Sequence, residues 1–167
     1  MDSSHINYRE SMIYRGVCIM KISTKGRYGL RIMLDLALNA GEKPRMIHQI
    51  ADSQQISEKY ISRLIIKLRK AGMVKSIRGA KGGYRIARYP KNLTLLEILE
   101  VMEGPVSIVN CVCHPKSCKV TEECAAREIW CSLNEEIRRS MAKITLQDII
   151  GKYREKHGGG DYFDYCI

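Results

Sequence analysis

Apolar and polar residues follow a helical period along most of this chain and a strand period along one stretch. In MKISTKGRYGLRIMLDLALNAG, which opens at Met20, Leu30, Met33, Leu34, Ala37 and Leu38 recur at i, i+3, i+4, i+7 and i+8. This predicts a helix capped by Ser23 or Thr24 and ended by Gly41. A short second helix is expected near 46–54, with Ile47, Ile50 and Ala51 inward. Ser57 caps a third, whose stripe Ile61, Leu64, Ile65 and Leu68 runs towards Gly72. Lys59, Arg63 and Lys70 point away from that stripe, and Ile66 stands off it.

The period then shortens. Val74, Ser76 and Ile77 read as a strand and Tyr84 to Ala87 as its return, around the glycine-rich tip Arg78-Gly79-Ala80-Lys81-Gly82-Gly83. Thr94-Leu95-Leu96-Glu97 is a capping box, opening a helix with Leu95, Ile98, Leu99 and Met102 apolar that Gly104-Pro105 stops. Beyond a cysteine-rich loop, a long helix is expected from Ala125 to Lys143. Its residues Ala126, Trp130, Leu133, Ile137, Ser140 and Ile144 fall at alternating spacings of 4 and 3, a coiled-coil seam. A symmetric homodimer, with Trp130, Leu133, Ile137 and Ile144 at its interface, is the simplest cover for that seam. Thr145-Leu146-Gln147-Asp148 caps a last short helix, and Gly158-Gly159-Gly160 releases the tail.

Two helices with a basic second one, followed by a basic hairpin, form a winged helix-turn-helix. The fold class expected is therefore mainly α with a small β-hairpin wing, plus a long dimerisation helix. The expected organisation is a flexible extension over 1–19, a DNA-binding domain over 20–104, a cysteine loop over 105–124, the dimerisation and terminal helices over 125–157, and a flexible tail over 158–167.

Charge gives the helices a partner. The 167 residues carry a net charge of +10. The stretch from Ser57 to Lys91 alone holds eleven basic residues against one acid, Glu58, so it matches the charge of the whole chain. Concentrated in this way, the charge reads as a surface for nucleic-acid phosphates. Double-stranded DNA is the expected partner, not a membrane: no apolar run approaches the length of a span, and the first twenty residues lack a signal peptide. The expected location is the cytoplasm, with the nucleoid. An enzyme fits poorly, because no phosphate loop, nucleophile elbow or HExxH is present.

Of seven cysteines, four lie in one polar loop with the spacing C-x-C-x4-C-x5-C: Cys111, Cys113, Cys118 and Cys124. Clustered cysteines in a reducing compartment read as metal ligands or redox thiols. Paired C-x2-C knuckles, the usual zinc signature, are missing, and the wider spacing suits an iron–sulfur cluster.

Several motifs together resemble those of the IscR-type winged-helix regulators, the family that includes IscR, NsrR and CymR. They are Ser23 to Gly29 (STKGRYG), Ile56 to Ile61 (ISEKYI), Leu68 to Gly72 (LRKAG), Arg78 to Tyr84 (RGAKGGY), and Cys124 six residues before Trp130. The resemblance spans Met20 to about Tyr153 and implies a homodimeric DNA-binding regulator. On that resemblance DNA contacts fall to Thr24, Lys25, Arg27, Tyr28, Ser57, Lys59, Tyr60, Arg63, Arg78 and Lys81. Its cluster-binding branch implies that Cys111, Cys118 and Cys124 hold an iron–sulfur cluster of the 2Fe–2S type, with Cys113 the alternative first ligand. Two positions depart from the family: Arg127 stands where a histidine ligand is common, and Ser62 where the recognition helix often has glutamate.

The function expected is a sequence-specific transcription regulator, a repressor, gated by that cluster. One alternative keeps DNA binding and places zinc or a thiol/disulfide switch in the loop. Another is a protein-interaction module that binds a partner enzyme.

Overall fold

The computed structural model describes residues 22–41 and 43–158. The N-terminal extension and the tail beyond Gly158, which carry Cys18 and Cys166, lie outside them.

Helix α1 spans Thr24–Leu38. Ser23 caps it by accepting from the Lys25 N–H, so the choice between Ser23 and Thr24 falls on Ser23. It ends earlier than Gly41, at Asn39, whose side-chain amide donates to the Asp35 carbonyl at 2.7 Å and so satisfies a terminal acceptor. Helix α2 (Ile47–Gln54) leads into α3 (Glu58–Lys70) through Gln55, which takes the left-handed conformation (φ 54°) that the tight turn requires. Ser57 occupies the cap position of α3, but its hydroxyl accepts no capping hydrogen bond.

Strands β1 (Val74–Ile77) and β2 (Gly83–Ile86) pair antiparallel, Val74 against Ile86 and Lys75 against Arg85. A third strand-like contact was not legible in the pattern. Arg45 exchanges backbone hydrogen bonds of 3.0 and 2.8 Å with Tyr84, so the α1–α2 connection runs along the free edge of the wing. Gly83 permits this approach, since a Cβ there would lie 2.5 Å from the Arg45 carbonyl oxygen.

Helix α4 (Leu95–Glu103) opens with the expected Thr94/Glu97 capping box. The segment expected to be loop contains a helical turn, α5 (Asn110–Cys113), and a 3-10 turn over Pro115–Ser117. Four residues are too few to display a period, which is why the pattern does not reveal α5. Helix α6 spans Ala125–Lys143, and α7 (Leu146–Lys156) opens with a Thr145/Asp148 capping box.

The core lies among α1, α2, α3, α4 and the wing: Ile32, Met33, Leu36, Ile50, Ile61, Ile65, Leu68, Ile98 and Met102 are all but sealed from solvent. At α1 and α4 the backbones come close, because a Cβ on Gly29 would stand 2.5 Å from Met102 Cγ. Leu146 and Ile150 of α7 join this core, and the Leu146 N–H donates to the Leu93 carbonyl at 2.8 Å. The terminal helix thus packs back against α1.

Candidate nucleic-acid interface and cysteine site

The recognition helix owes its orientation to its apolar stripe. Ile61, Leu64, Ile65 and Leu68 are buried, which turns Lys59, Arg63 and Lys70 to solvent. Ile66 is also exposed. Lys67 is committed elsewhere: its ammonium donates to the Met102 carbonyl at 3.1 Å, near the C-terminal end of α4, where a cation is favoured. Ser62 folds its hydroxyl onto its own helix, donating to the Glu58 carbonyl at 2.8 Å.

In the wing, Arg78 and Lys81 stand exposed at the tip. Thr24, Lys25 and Arg27 are exposed on the first turn of α1, with Arg27 donating to Thr24 Oγ1 at 3.3 Å. Ser57 and Lys59 are likewise exposed at the start of α3. Tyr28 and Tyr60 are half-buried against the core and meet edge to face, with ring centroids 5.9 Å apart. Arg31 lies over the Tyr28 ring at 5.4 Å. The aromatic pair ties α1 to α3 and so holds the first turn of α1 beside the recognition helix.

Sequence reasoning missed the polar hub behind this surface. Asp35 is 4% exposed, yet accepts from Arg45 Nε at 3.1 Å, Arg45 Nη2 at 3.3 Å, Gln54 Nε2 at 3.1 Å and the Ser53 hydroxyl. Arg31 reinforces it by donating to Gln54 Oε1 at 3.0 Å. The available signal was one acid inside the apolar run MLDLAL. A carboxylate placed there must be paired.

The cysteine segment is laced to α6. Ile108 N–H donates to the buried Asn134 Oδ1 at 3.1 Å and Arg127 Nε donates to the Cys111 carbonyl at 3.3 Å, while Arg138 ties α6 to α4 through Glu100. Cys111 and Cys113 lie on α5, Cys118 closes the 3-10 turn and Cys124 is the cap residue of α6. All four are free, half-buried thiols, as is Cys131. The donor set suits a thiolate-bound iron–sulfur cluster in kind. Among the described residues, however, no three His, Cys, Asp or Glu side chains are gathered closely enough to hold a metal ion.

The expected seam on α6 is open in the protomer: Trp130 is 40% exposed and Leu133 45%, while Ile137 is half-buried; Ile144, expected on the same seam, lies one residue past the helix end in extended backbone. Asn134 and Arg138, one step around the helix, face the rest of the chain.

A helix-turn-helix with a basic outer face and a wing defines the class of winged-helix DNA-binding regulators. Residues 22–152 match the Rrf2 family, described as an iron-dependent transcriptional regulator, and the chain belongs to that family. It is 43% identical over 130 residues to the transcriptional regulator CymR of Bacillus subtilis, covering 78% of this chain and 89% of the relative. It is 35% identical over 132 residues to the regulator IscR of Aliivibrio salmonicida, covering 78% and 77%. Among solved structures, CymR of B. subtilis, titled a global cysteine regulator, superposes with a TM-score of 0.68 at 40% identity, covering 80% of this chain and 98% of that one. IscR of T. potens superposes with a TM-score of 0.68 at 36% identity, covering 85% and 94%. The chain is accordingly a transcriptional regulator and not an enzyme. No helix among the described residues is long and apolar enough to cross a membrane.

Proposed function

We propose that this regulator binds operator DNA as a homodimer and that its affinity is gated by an iron–sulfur cluster held by Cys111, Cys118 and Cys124. The observation that carries the reading is the lacing of the cysteine segment to α6 through Asn134 and Arg127. Lys59 and Arg63 on α3, Arg78 and Lys81 on the wing, and Thr24, Lys25 and Arg27 on α1 face the DNA. Ser57 lies at the helix start beside them, and Tyr28 and Tyr60 set the relative placement of α1 and α3.

Trp130, Leu133, Ile137 and Ile144 meet the same face of a second copy. Cys111, Cys118 and Cys124 would hold the cluster, which would supply metal–sulfur bonds across the segment and a centre sensitive to oxidants or iron supply. Ile108 and Cys111 connect that segment to α6 through Asn134 and Arg127. A change in the tie between the thiolates would pass through these contacts to α6 and alter the spacing of the two winged helices. Half-sites on DNA have a fixed separation, so affinity changes with it.

The free, half-buried state of the thiols and the likeness to CymR, described as a global cysteine regulator, favour a second reading. In it the same thiols act as a thiol/disulfide switch or hold zinc. Selection of duplexes from a random-sequence pool by anaerobic and by air-exposed protein tests the proposal. One form should enrich a two-fold symmetric site that the other does not; enrichment of no sequence by either overturns it.

A further inference from the structure

Behind the wing tip, two clefts lie on either side of Arg85. One, of about 770 Å³, lies between the α1–α2 connection and the wing and is lined by Lys43, Arg45, Gln49, Lys81 and Arg85. The other, of about 330 Å³, is lined by Lys75, Arg85, Arg88 and Tyr89. Neither has a carboxylate in its lining among the described residues. Their basic side chains stand beside apolar lining, Pro44 and Met46 in the larger cleft and Ile86, Ala87 and Pro90 in the smaller.

The register adds a second observation. Lys75 stands directly opposite Arg85 in the hairpin, and both project from the face away from the core-packed Val74, Tyr84 and Ile86. Like charges directly opposed across two strands repel. Lys75, the exposed member of the pair, is the one open to an anion. Lys43 and Lys75 are exposed, and neither makes an ion pair among the described residues. Lys81 belongs to both the tip and the larger cleft, so the basic face continues directly from the surface already assigned to DNA.

We infer that the outer face of the wing, through Lys43 and Lys75, is a second phosphate-binding track that grips the DNA backbone flanking each half-site. The inference rests on the DNA-binding reading above and adds to it a grip that depends on duplex length and not on base sequence. Only a polyanion of extended shape reaches both clefts, which is why the backbone of the same duplex is the ligand assigned.

The experiment uses the full chain and a duplex that the wild-type protein has enriched from a random pool. It is prepared in two lengths: trimmed to the enriched site, and extended by about one helical turn at each end. Binding is measured against salt for the wild type, K43Q/K75Q and K43R/K75R. On the extended duplex, K43Q/K75Q should lower the salt slope by about two units per protomer, one for each phosphate left without its lysine. On the trimmed duplex it should match the wild type, and K43R/K75R should restore the slope on the long one. Both positions are exposed, and equal thermal midpoints among the three proteins exclude a folding effect. An unchanged slope on the extended duplex, or an equal loss on both lengths, overturns the flanking track. A wild-type protein that enriches no sequence overturns the regulator reading and this inference with it.

Discussion

Asp35 and Arg45 form a buried ion pair, 3.1 Å from Nε to Oδ1, that joins the last turn of α1 to the strand-like edge of the wing. The guanidinium anchors the α1–α2 connection, and the backbone of the same arginine pairs with Tyr84. One carboxylate therefore sets the wing relative to the helix-turn-helix. The substitution D35A leaves Arg45 without its partner at a largely buried site, at a cost of about 3 kcal/mol. Urea unfolding should show this loss, and amide exchange at Tyr84 should quicken more than exchange in α3. Equal quickening in both would mean that the pair supports the fold generally and not the wing.

The close approach of α1 to α4 at Gly29 gives a second expectation. In G29A the new methyl meets Met102, and overpacking outweighs the gain in helix propensity, for a net loss of about 1–2 kcal/mol. The double variant G29A/M102A should recover part of that loss relative to the sum of the single ones. A strictly additive cycle would refute the contact.

Two capping carboxylates link stability to pH. Burial alone raises the Glu97 pKa, but the Thr94 N–H, the Arg88 guanidinium and the Thr94 hydroxyl together hold it below the ordinary carboxylate range. The Thr145 hydroxyl and N–H do the same for Asp148. Each folded carboxylate binds its proton more weakly than the unfolded one. The stability they contribute is therefore full above the ordinary carboxylate range and is lost as pH falls through it and below. In a urea-midpoint series, E97Q and D148N should fall short of the wild type at neutral pH and converge on it in acid. A gap independent of pH would contradict the caps.

Much of this was legible in the chain. The stripe Ile61, Leu64, Ile65 and Leu68 buries as its period requires, and the two Thr-initiated capping boxes form where their spacing places them. The Asp35–Arg45 pair was not legible, because its members sit ten positions apart across a helix end, where no period relates them. The family resemblance marks Tyr28 and Tyr60 as DNA contacts, and no local pattern in the chain pairs them with each other. Their edge-to-face contact is a tertiary fact. The gathering of cysteines is of the same kind: spacing shows that four thiols share a segment, and not how near they stand.

The α6 seam predicts a separation between folding and assembly. Trp130 and Leu133 are exposed in the protomer, so W130D and L133D should keep the thermal stability of the winged helix while shifting sedimentation from dimer to monomer. Intact dimers in both variants would remove α6 as the interface.

Single cysteine variants should sort into two groups by iron content after anaerobic isolation. C111A, C118A and C124A should lose iron, while C113A and C131A should keep it. Loss in C113A with retention in C111A would exchange the first ligand between them.

Cluster gating is decided by the operator affinity of anaerobically isolated wild-type protein, measured before and after a chelator removes its iron. The protein should be coloured and iron-containing, with an affinity that changes by about tenfold or more on iron removal, a coupling of about 1.4 kcal/mol. A colourless, iron-free protein, or one whose affinity is the same in both states, would contradict cluster gating.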